Sequence, residues 1–273
     1  MHFFYHYCPG NIDRLLLCDA LLNLTSIYPI FLIFVQMSKG NLYLIPTVLG
    51  NTSPAEVLPL SVFNVIKRLK YFIVEDIRTA RRFLKKAGYS LPFNDVEFFE
   101  LNKYTSNNDL SGFLKHTYSG YDTGLLSEAG VPCVADPGAG ITAIAHSTGI
   151  RVIPLSGPSS IILALMASGL NGQSFTFHGY LPLKNDDRKQ MLKKIETDSA
   201  IKNQAQIFME TPFRNMQIID AITSVCKPST HLCIAADITL ESEYILTRTV
   251  SYWKKNKPDI HKRPAIFIIQ SIK

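Results

Sequence analysis

Acidic side chains follow apolar segments at two places in the chain. Glu75 and Asp76 come directly after YFIV, and Glu128 and Asp136 lie in the loop SEAGVPCVADPG. A carboxylate in a cleft can take a proton from a hydroxyl group or attract a cation. Glu128 and Asp136 also have a structural alternative, as a helix cap or a loop hydrogen bond. Glu75 and Asp76 could instead complement the dipole of the helix that they open. Position alone makes these four residues weak candidates for catalysis, and it identifies no general base.

Three loops of unusual composition follow predicted strands. Their sequences are PTVLGN (46–51), SEAGVPCVADPG (127–138) and SGPSS (156–160). Loops at the carboxyl edge of a parallel sheet form its ligand crevice, and small residues let a ligand approach the backbone closely. The alternative is that glycine and proline only make turns here. The chain has no GxGxxG and no Walker A motif, which argues against dinucleotide and nucleoside-triphosphate binding.

Other chemistries find little support in the sequence. The chain shows no Ser–His–Asp constellation, and its five cysteines form no CxxC pair and have no histidine at metal-ligand spacing. We therefore expect no metal and no disulfide framework, and a reducing, cytoplasmic compartment. A net charge of +6, most of it after residue 183, fits a polyanionic partner such as RNA or simply a soluble surface.

The loops need a scaffold, and the pattern from residue 41 to residue 155 predicts one. Apolar runs alternate with amphipathic segments, which is typical of an open, largely parallel α/β sheet. The predicted strands are 42–46, 71–74, 96–101, 122–126 and 151–155, and the predicted helices lie around 62–69, 77–87, 109–116 and 139–147.

A second pattern begins after Gly157-Pro158. Helices are predicted at 159–168, at 187–196 and from Arg214, and strands at 175–180, 205–210, 231–237, 244–248 and 265–270. Late strands with few helices between them favour a mixed sheet with antiparallel members. We therefore expect two α/β domains, at 37–155 and 156–273.

The first 36 residues allow three interpretations. Residues 15–35 are apolar and long enough to span a bilayer, but polar residues and Pro29 interrupt them. The segment is an extension upstream of a natural start at Met37, which we favour, a membrane anchor, or a packed helix. No functional inference depends on it.

Seven segments occur in an order that resembles one enzyme superfamily: LYLIPTVLGN, VEDIRTARRFL, SEAGVPCVADPG, VIPLSGPSS, ALMASGL, FTFHGYLPLK and METPFRN. From about Asn41 to Ile272 the chain resembles the tetrapyrrole-methylase superfamily of S-adenosylmethionine-dependent methyltransferases. Its closest resemblance is to the ribosomal small-subunit RNA (cytidine-2′-O) methyltransferase I branch, in a short form without the C-terminal extension. The resemblance implies two α/β domains with S-adenosylmethionine in the cleft between them, a homodimer, and a ribosomal RNA substrate.

The resemblance also implies which residues form the site. Arg78 in the EDxR string, and Lys184 and Arg188 in GYLPLKxxxR, are expected on the substrate side, although surface charge explains them too. Arg81, Arg82, Lys85 and Lys86 further along the EDxR helix could contact phosphates, and a solvated basic face explains them equally well. The expected cofactor-binding residues are Pro46, Thr47, Gly50, Glu128, Ala129, Gly130, Val131, Pro132, Asp136, Pro137, Gly138, Ser156, Gly157, Pro158, Glu210, Thr211, Pro264 and Ala265.

Three functions remain open on the sequence. The first is 2′-O-methylation of ribosomal RNA, and the second is C-methylation of a corrin or porphyrin precursor. The second branch normally has a GxGPGD-like first loop, and PTVLGN lacks its acidic residue. The third is a non-catalytic homologue that binds S-adenosylmethionine or RNA. The family usually has aspartate where Glu128 stands, so the longer carboxylate could hold this loop differently.

Overall fold

The structure is a computed structural model, and it describes residues 38–101, Thr105 and 110–271. The interpretations of residues 1–36, including the apolar stretch 15–35, concern residues outside these ranges. Within the described ranges, no helix combines the length and the apolar character needed to cross a membrane.

The first sheet has five strands, all parallel, in the order β3-β2-β4-β1-β5. The strands are β1 (Asn41–Ile45), β2 (Tyr71–Val74), β3 (Glu97–Glu100), β4 (Thr123–Leu126) and β5 (Arg151–Pro154). The α-helices between them are α1 (Pro54–Val57), α2 (Leu60–Ile66), α3 (Ile77–Lys86), α4 (Lys115–Tyr118) and α5 (Gly138–Ser147), with 3₁₀ turns at Phe93–Asp95 and Leu110–Leu114.

Helices cover both faces of this sheet, as a parallel sheet requires. On one face Ile66 of α2 and Leu84 of α3 pack against Phe72. On the other face Ile141 of α5 packs against Leu125. The central strands are therefore apolar on both sides, which is why they read as continuous hydrophobic runs in the sequence.

The second sheet is mixed, in the order β6-β7-β10-β8-β9. Its first two strands are parallel and the other pairs are antiparallel. The strands are β6 (Phe175–Tyr180), β7 (Ala205–Glu210), β8 (His231–Ala236), β9 (Tyr244–Thr249) and β10 (Ala265–Gln270). The helices are α6 (Ser160–Ser168), α7 (Asn185–Lys202), α8 (Asn215–Val225) and α9 (Val250–Lys255), with a 3₁₀ turn at Pro212–Arg214. The predicted fold class is confirmed.

Aromatic side chains fill one side of the second sheet. The rings of Phe208 and Phe267 stack with their centroids 5.8 Å apart. Trp253 of α9 is buried, and its indole N–H donates a hydrogen bond to the Leu232 carbonyl at 2.9 Å. The opposite face packs against α6 through Ala164 and Leu165.

The loop after β1 crosses from the first sheet to the second. Leu49 packs on the cluster that contains Ala235 and Ile238. A Cβ atom on Gly50 would lie 2.8 Å from the Leu240 side chain, so this position needs glycine or a shift of that leucine. The first sheet ends before residue 155 and α6 follows at residue 160, and the exact boundary between the two domains stays a prediction.

Candidate cofactor and active site

Hydrogen bonds tie the loop after β1 to the loop after β4. The Thr47 backbone N–H donates to the Gly130 carbonyl at 2.9 Å, and the Ser127 hydroxyl donates to the same carbonyl at 2.6 Å. The Thr47 hydroxyl donates to the Ser127 carbonyl at 3.2 Å. Because β1 and β4 are parallel neighbours, their carboxyl ends lie side by side and these short contacts follow.

Glycines allow the third loop to join the other two. Gly130 has φ of +76°, and a Cβ there would lie 2.9 Å from both the Leu49 side chain and the Pro158 carbonyl. A Cβ on Gly157 would lie 2.2 Å from Cβ of Pro46. The structure thus brings the three glycine-rich loops into direct contact.

A cavity of about 350 Å³ opens beside these loops, between the two sheets. That volume lies within the range of pockets that bind small molecules and cofactors. The first sheet contributes Leu49, Glu75, Ser127, Glu128, Ala129, Val134, Ala135 and Asp136 to its wall. The rest of the chain contributes Ser160, Ile161, Tyr180, Met209, Glu210, Pro212, Ala235, Asp237, Ile238, Leu240, Pro264, Ala265 and Ile266.

The expected cofactor-binding residues divide into three groups. Those in the cavity wall are Glu128, Ala129, Asp136, Glu210, Pro264 and Ala265. Thr47 and Gly50 instead line a neighbouring cavity. The others form the packed loops that support the wall, or lie next to it in the chain: Pro46, Gly130, Val131, Pro132, Pro137, Gly138, Ser156, Gly157, Pro158 and Thr211. A cofactor contact stays a prediction for all three groups.

Sequence reasoning missed the wall formed by the segment after β8. Asp237, Ile238 and Leu240 all face the cavity. Asp237 has φ of +51°, and its carboxylate accepts hydrogen bonds from Arg263 Nε at 2.7 Å and from the Ser242 hydroxyl at 2.8 Å. The available signal was an acidic residue at the carboxyl end of a predicted strand.

Three carboxylates lie on the first-sheet side of the cavity. Glu75 Oε1 accepts a hydrogen bond from the Glu128 backbone N–H at 3.2 Å, and Glu128 Oε1 accepts one from the Thr79 hydroxyl at 2.6 Å. Burial raises the pKa of Glu75, and the negative charges of Asp136 and Glu128 raise it further. This side of the cavity therefore favours a bound cation.

Asp136 organises its own loop. Its carboxylate accepts hydrogen bonds from the backbone N–H of Cys133 at 2.9 Å and of Gly138 at 2.8 Å. Burial raises its pKa, and these two hydrogen bonds act in the opposite direction. Two of its neighbours, Cys133 and Ala135, have φ of +68° and +63°. Asp136 therefore makes the loop hydrogen bonds that were its structural alternative to catalysis. Its carboxylate also faces the cavity.

Asp76 begins α3. Its carboxylate accepts a hydrogen bond from the Thr79 backbone N–H at 2.8 Å, which lowers its pKa. This is the N-cap arrangement, and Asp76 does not line the cavity. Arg78 lies in the first turn of α3 and is exposed to solvent.

Glu210 is buried at the end of β7. Its carboxylate pairs with Arg214 at 2.8 Å and accepts a hydrogen bond from the Thr211 N–H at 2.7 Å. The ion pair balances its charge, so this glutamate adds little net negative charge to the cavity.

Lys184 and Arg188 differ sharply in their surroundings. Lys184 is exposed, whereas Arg188 is only 5% exposed. The Arg188 guanidinium donates to the Leu183 carbonyl at 2.9 Å and to Asn185 Oδ1 at 3.1 Å. Arg188 therefore fastens the loop before α7, and a substrate contact at Arg188 stays a prediction.

The wall chemistry fits S-adenosylmethionine. Met209, Ala235, Ile238 and Ile266 offer an apolar surface for an adenine ring, and the carboxylates on the opposite side offer negative charge for a sulfonium. In the described part of the chain, no group of three or more His, Cys, Asp or Glu side chains is arranged to hold a metal ion.

Comparisons with curated proteins identify relatives over most of the chain, although no family model matches it. The chain is 28% identical over 239 residues to the ribosomal RNA small subunit methyltransferase I of Escherichia coli O157:H7, which covers 86% of this chain and 79% of that protein. It is 30% identical over 212 residues to the protein of the same name from Halalkalibacterium halodurans, which covers 78% of this chain and 69% of that one.

Solved structures share the fold. Uroporphyrin-III C-methyl transferase from Thermus thermophilus, complexed with S-adenosyl homocysteine, aligns with a TM-score of 0.52 at 16% identity, over 85% of this chain and 98% of its own. The predicted tetrapyrrole-methylase fold is thereby confirmed, and the names of the curated relatives agree with the prediction of a methyltransferase. Since the 30% identity extends over more than two thirds of both sequences, the chain belongs to the ribosomal RNA small subunit methyltransferase I family.

Proposed function

We propose that this protein methylates a ribose 2′-hydroxyl of small-subunit ribosomal RNA, with S-adenosylmethionine in the cavity between the two sheets. The observation that carries the proposal is the composition of that cavity, in which an apolar second-sheet wall faces Glu75, Glu128 and Asp136. The names of the curated relatives support RNA as the substrate.

The chain's own residues have to align the reactants. When bound, S-adenosylmethionine supplies a methyl group that its sulfonium already activates, so alignment and exclusion of water are the tasks left to the protein. The carboxylates of Glu75, Glu128 and Asp136 attract the sulfonium of the bound cofactor, and the apolar second-sheet wall packs against its adenine ring. A hydroxyl that attacks from the first-sheet side would meet Glu128, which can accept its hydrogen bond.

We also propose a homodimer that works in the cytoplasm, with domains at 37–155 and 156–273. An apolar face on α6 supports the dimer, because Ile162 and Met166 are 44% and 72% exposed and lie one turn apart. Cys133, Cys226 and Cys233 carry free thiols, which supports a reducing compartment.

Replacement of Ala129 by tryptophan tests the cavity. Ala129 is exposed and lines the cavity, so the indole would occupy the space of the cofactor without disturbing the core. We expect Ala129→Trp to abolish S-adenosylmethionine binding by calorimetry and transfer of tritiated methyl to small-subunit ribosomal RNA from cells that lack the endogenous activity.

Ala139→Trp is the matched control, since Ala139 is exposed on α5 and lines no part of the cavity. Equal binding by both variants would contradict the assignment of the cavity. Label in a tetrapyrrole but never in RNA would replace the proposed function by C-methylation, and binding without any transfer would indicate a non-catalytic homologue.

A further inference from the structure

A second cavity adjoins the first. Its volume is about 360 Å³, and it lies between the loop after β1, one side of α3, and the start of the loop after β4. Ser127 and Glu128 line both cavities, so they form the boundary between them. A group in the second cavity therefore lies next to the cofactor cavity, on the side of the Glu128 carboxylate.

The second cavity has positive charge at the end away from Glu128. Arg82 and Lys86 both line it and lie four residues apart on one face of α3. Among the described residues, Arg82 has no hydrogen-bond or ion-pair partner. Lys86 Nζ donates to Asn51 Oδ1 at 2.8 Å. Their neighbour Arg81 differs, since its guanidinium lies 5.2 Å from the Phe98 ring centroid.

The basic end of the second cavity opens into a groove at the protein surface. An open groove of about 320 Å³ is formed by Asn51, Thr52, Ser53, Pro54 and Lys86, so Asn51 and Lys86 belong to both spaces. Backbone and hydroxyl groups beside a lysine are the usual surroundings of a phosphate. A chain of phosphates could thus follow this groove away from the cavity.

We propose that the second cavity binds the acceptor nucleotide of a single-stranded RNA, with Arg82 and Lys86 on its phosphates and its ribose hydroxyl at Glu128. This inference rests on the proposed function. A nucleotide has the matching layout, because it carries a neutral hydroxyl-bearing sugar beside an anionic phosphate. The cavity at α3 accordingly selects a nucleic-acid substrate over a small neutral one.

The test compares Lys86→Ala and Arg82→Ala with Lys85→Ala. Lys85 lies in the same last turn of α3 and is exposed, but it lines neither the second cavity nor the groove, so its variant makes the same change in net charge. The measurements are fluorescence anisotropy with a labelled single-stranded RNA, steady-state methyl transfer to small-subunit ribosomal RNA, and calorimetry with S-adenosylmethionine.

We expect Lys86→Ala and Arg82→Ala each to weaken RNA binding and raise the KM for RNA about tenfold. The slope of log affinity against log salt should fall by about 0.7 for each lost phosphate contact. S-adenosylmethionine affinity should stay unchanged, which also shows that the variants fold, and Lys86→Arg should retain most of the RNA affinity.

Equal loss in Lys85→Ala and Lys86→Ala would overturn the inference, since it would indicate a diffuse basic surface. Wild-type affinity in Lys86→Ala and Arg82→Ala would overturn it as well. RNA binding that depends on Lys86 without methyl transfer would refute the proposed function while supporting the cavity assignment. Methyl transfer that is independent of Lys86 and Arg82 would do the reverse.

Discussion

Glu75 lies where burial and charge act in the same direction. Burial raises the pKa of this carboxyl, and the neighbouring Asp136 and Glu128 add to the effect, while the N–H of Glu128 partly offsets it. Glu75 consequently takes up a proton at a higher pH than an ordinary glutamate does. Each proton taken up removes one negative charge from the wall that faces the cofactor.

This gives a prediction for the pH dependence of cofactor binding. As the pH falls through the raised pKa of Glu75, the affinity for S-adenosylmethionine should fall, because its sulfonium loses a nearby negative charge. S-adenosylhomocysteine has a neutral sulfur, so its affinity should change less over the same range. Calorimetric titrations with both ligands measure the difference.

Glu75→Gln provides the control for that experiment. The amide is neutral at every pH, so this variant should bind S-adenosylmethionine more weakly at neutral pH and with a shallower pH dependence. Asp136 also has a raised pKa, which leaves a residual slope. Identical pH profiles for the two ligands in the wild-type protein would contradict the electrostatic role of this wall.

The sequence predicted the first-sheet side of the site better than the second-sheet side. Glu128 and Asp136 stand in a loop whose glycine and proline content is visible without a structure. Met209, Ile238 and Leu240 are ordinary apolar residues of strands and turns, and only the packing of one sheet against the other turns them toward the cavity. No local pattern distinguishes such residues from core residues.

Among the elements, the strands were predicted most closely. β2, β6, β7 and β10 begin and end at the predicted residues, because each is a short apolar or alternating segment between turn residues. α7 is longer than predicted. It continues to Lys202 because Ser199, a polar residue that carries no hydrophobic signal, is buried against the sheet and donates a hydrogen bond to the Gln204 carbonyl.

The start of α7 supports a prediction about stability. Arg188→Ala would leave the Leu183 carbonyl and Asn185 without their charged donor. Hydrogen bonds to charged groups contribute roughly 1.5–3 kcal/mol, so the free energy of unfolding should fall by about that amount. Urea denaturation followed by circular dichroism measures it.

Lys184→Ala is the comparison for this loop. Lys184 is exposed, and exposed substitutions usually change the free energy of unfolding by less than about 0.5 kcal/mol. If Lys184 contacts RNA, this variant should raise the KM for RNA without loss of stability. A stable Arg188→Ala protein with impaired RNA binding would favour a substrate contact at Arg188 over a purely structural role.

For the whole molecule, α6 supports a prediction about assembly. Met166→Asp places a charge on the exposed apolar face of this helix, so we expect it to convert the proposed dimer into a monomer in size-exclusion chromatography with light scattering. Ile201→Asp is the control, because Ile201 is 71% exposed but lies on a different helix, near the end of α7. A wild-type monomer, or dissociation by both variants, would contradict an interface on α6.

The strand order of the second sheet has a consequence for biosynthesis. β10 is the last of the strands in the described part of the chain, yet it lies in the middle of its sheet, between β7 and β8. During translation these two neighbours emerge with an unfilled gap between them, and they can be joined only once Gln270 has left the exit tunnel. Pro264, Ala265 and Ile266 arrive with that strand, so the wall of the cavity between the two sheets stays incomplete in the nascent protein until β10 has been inserted.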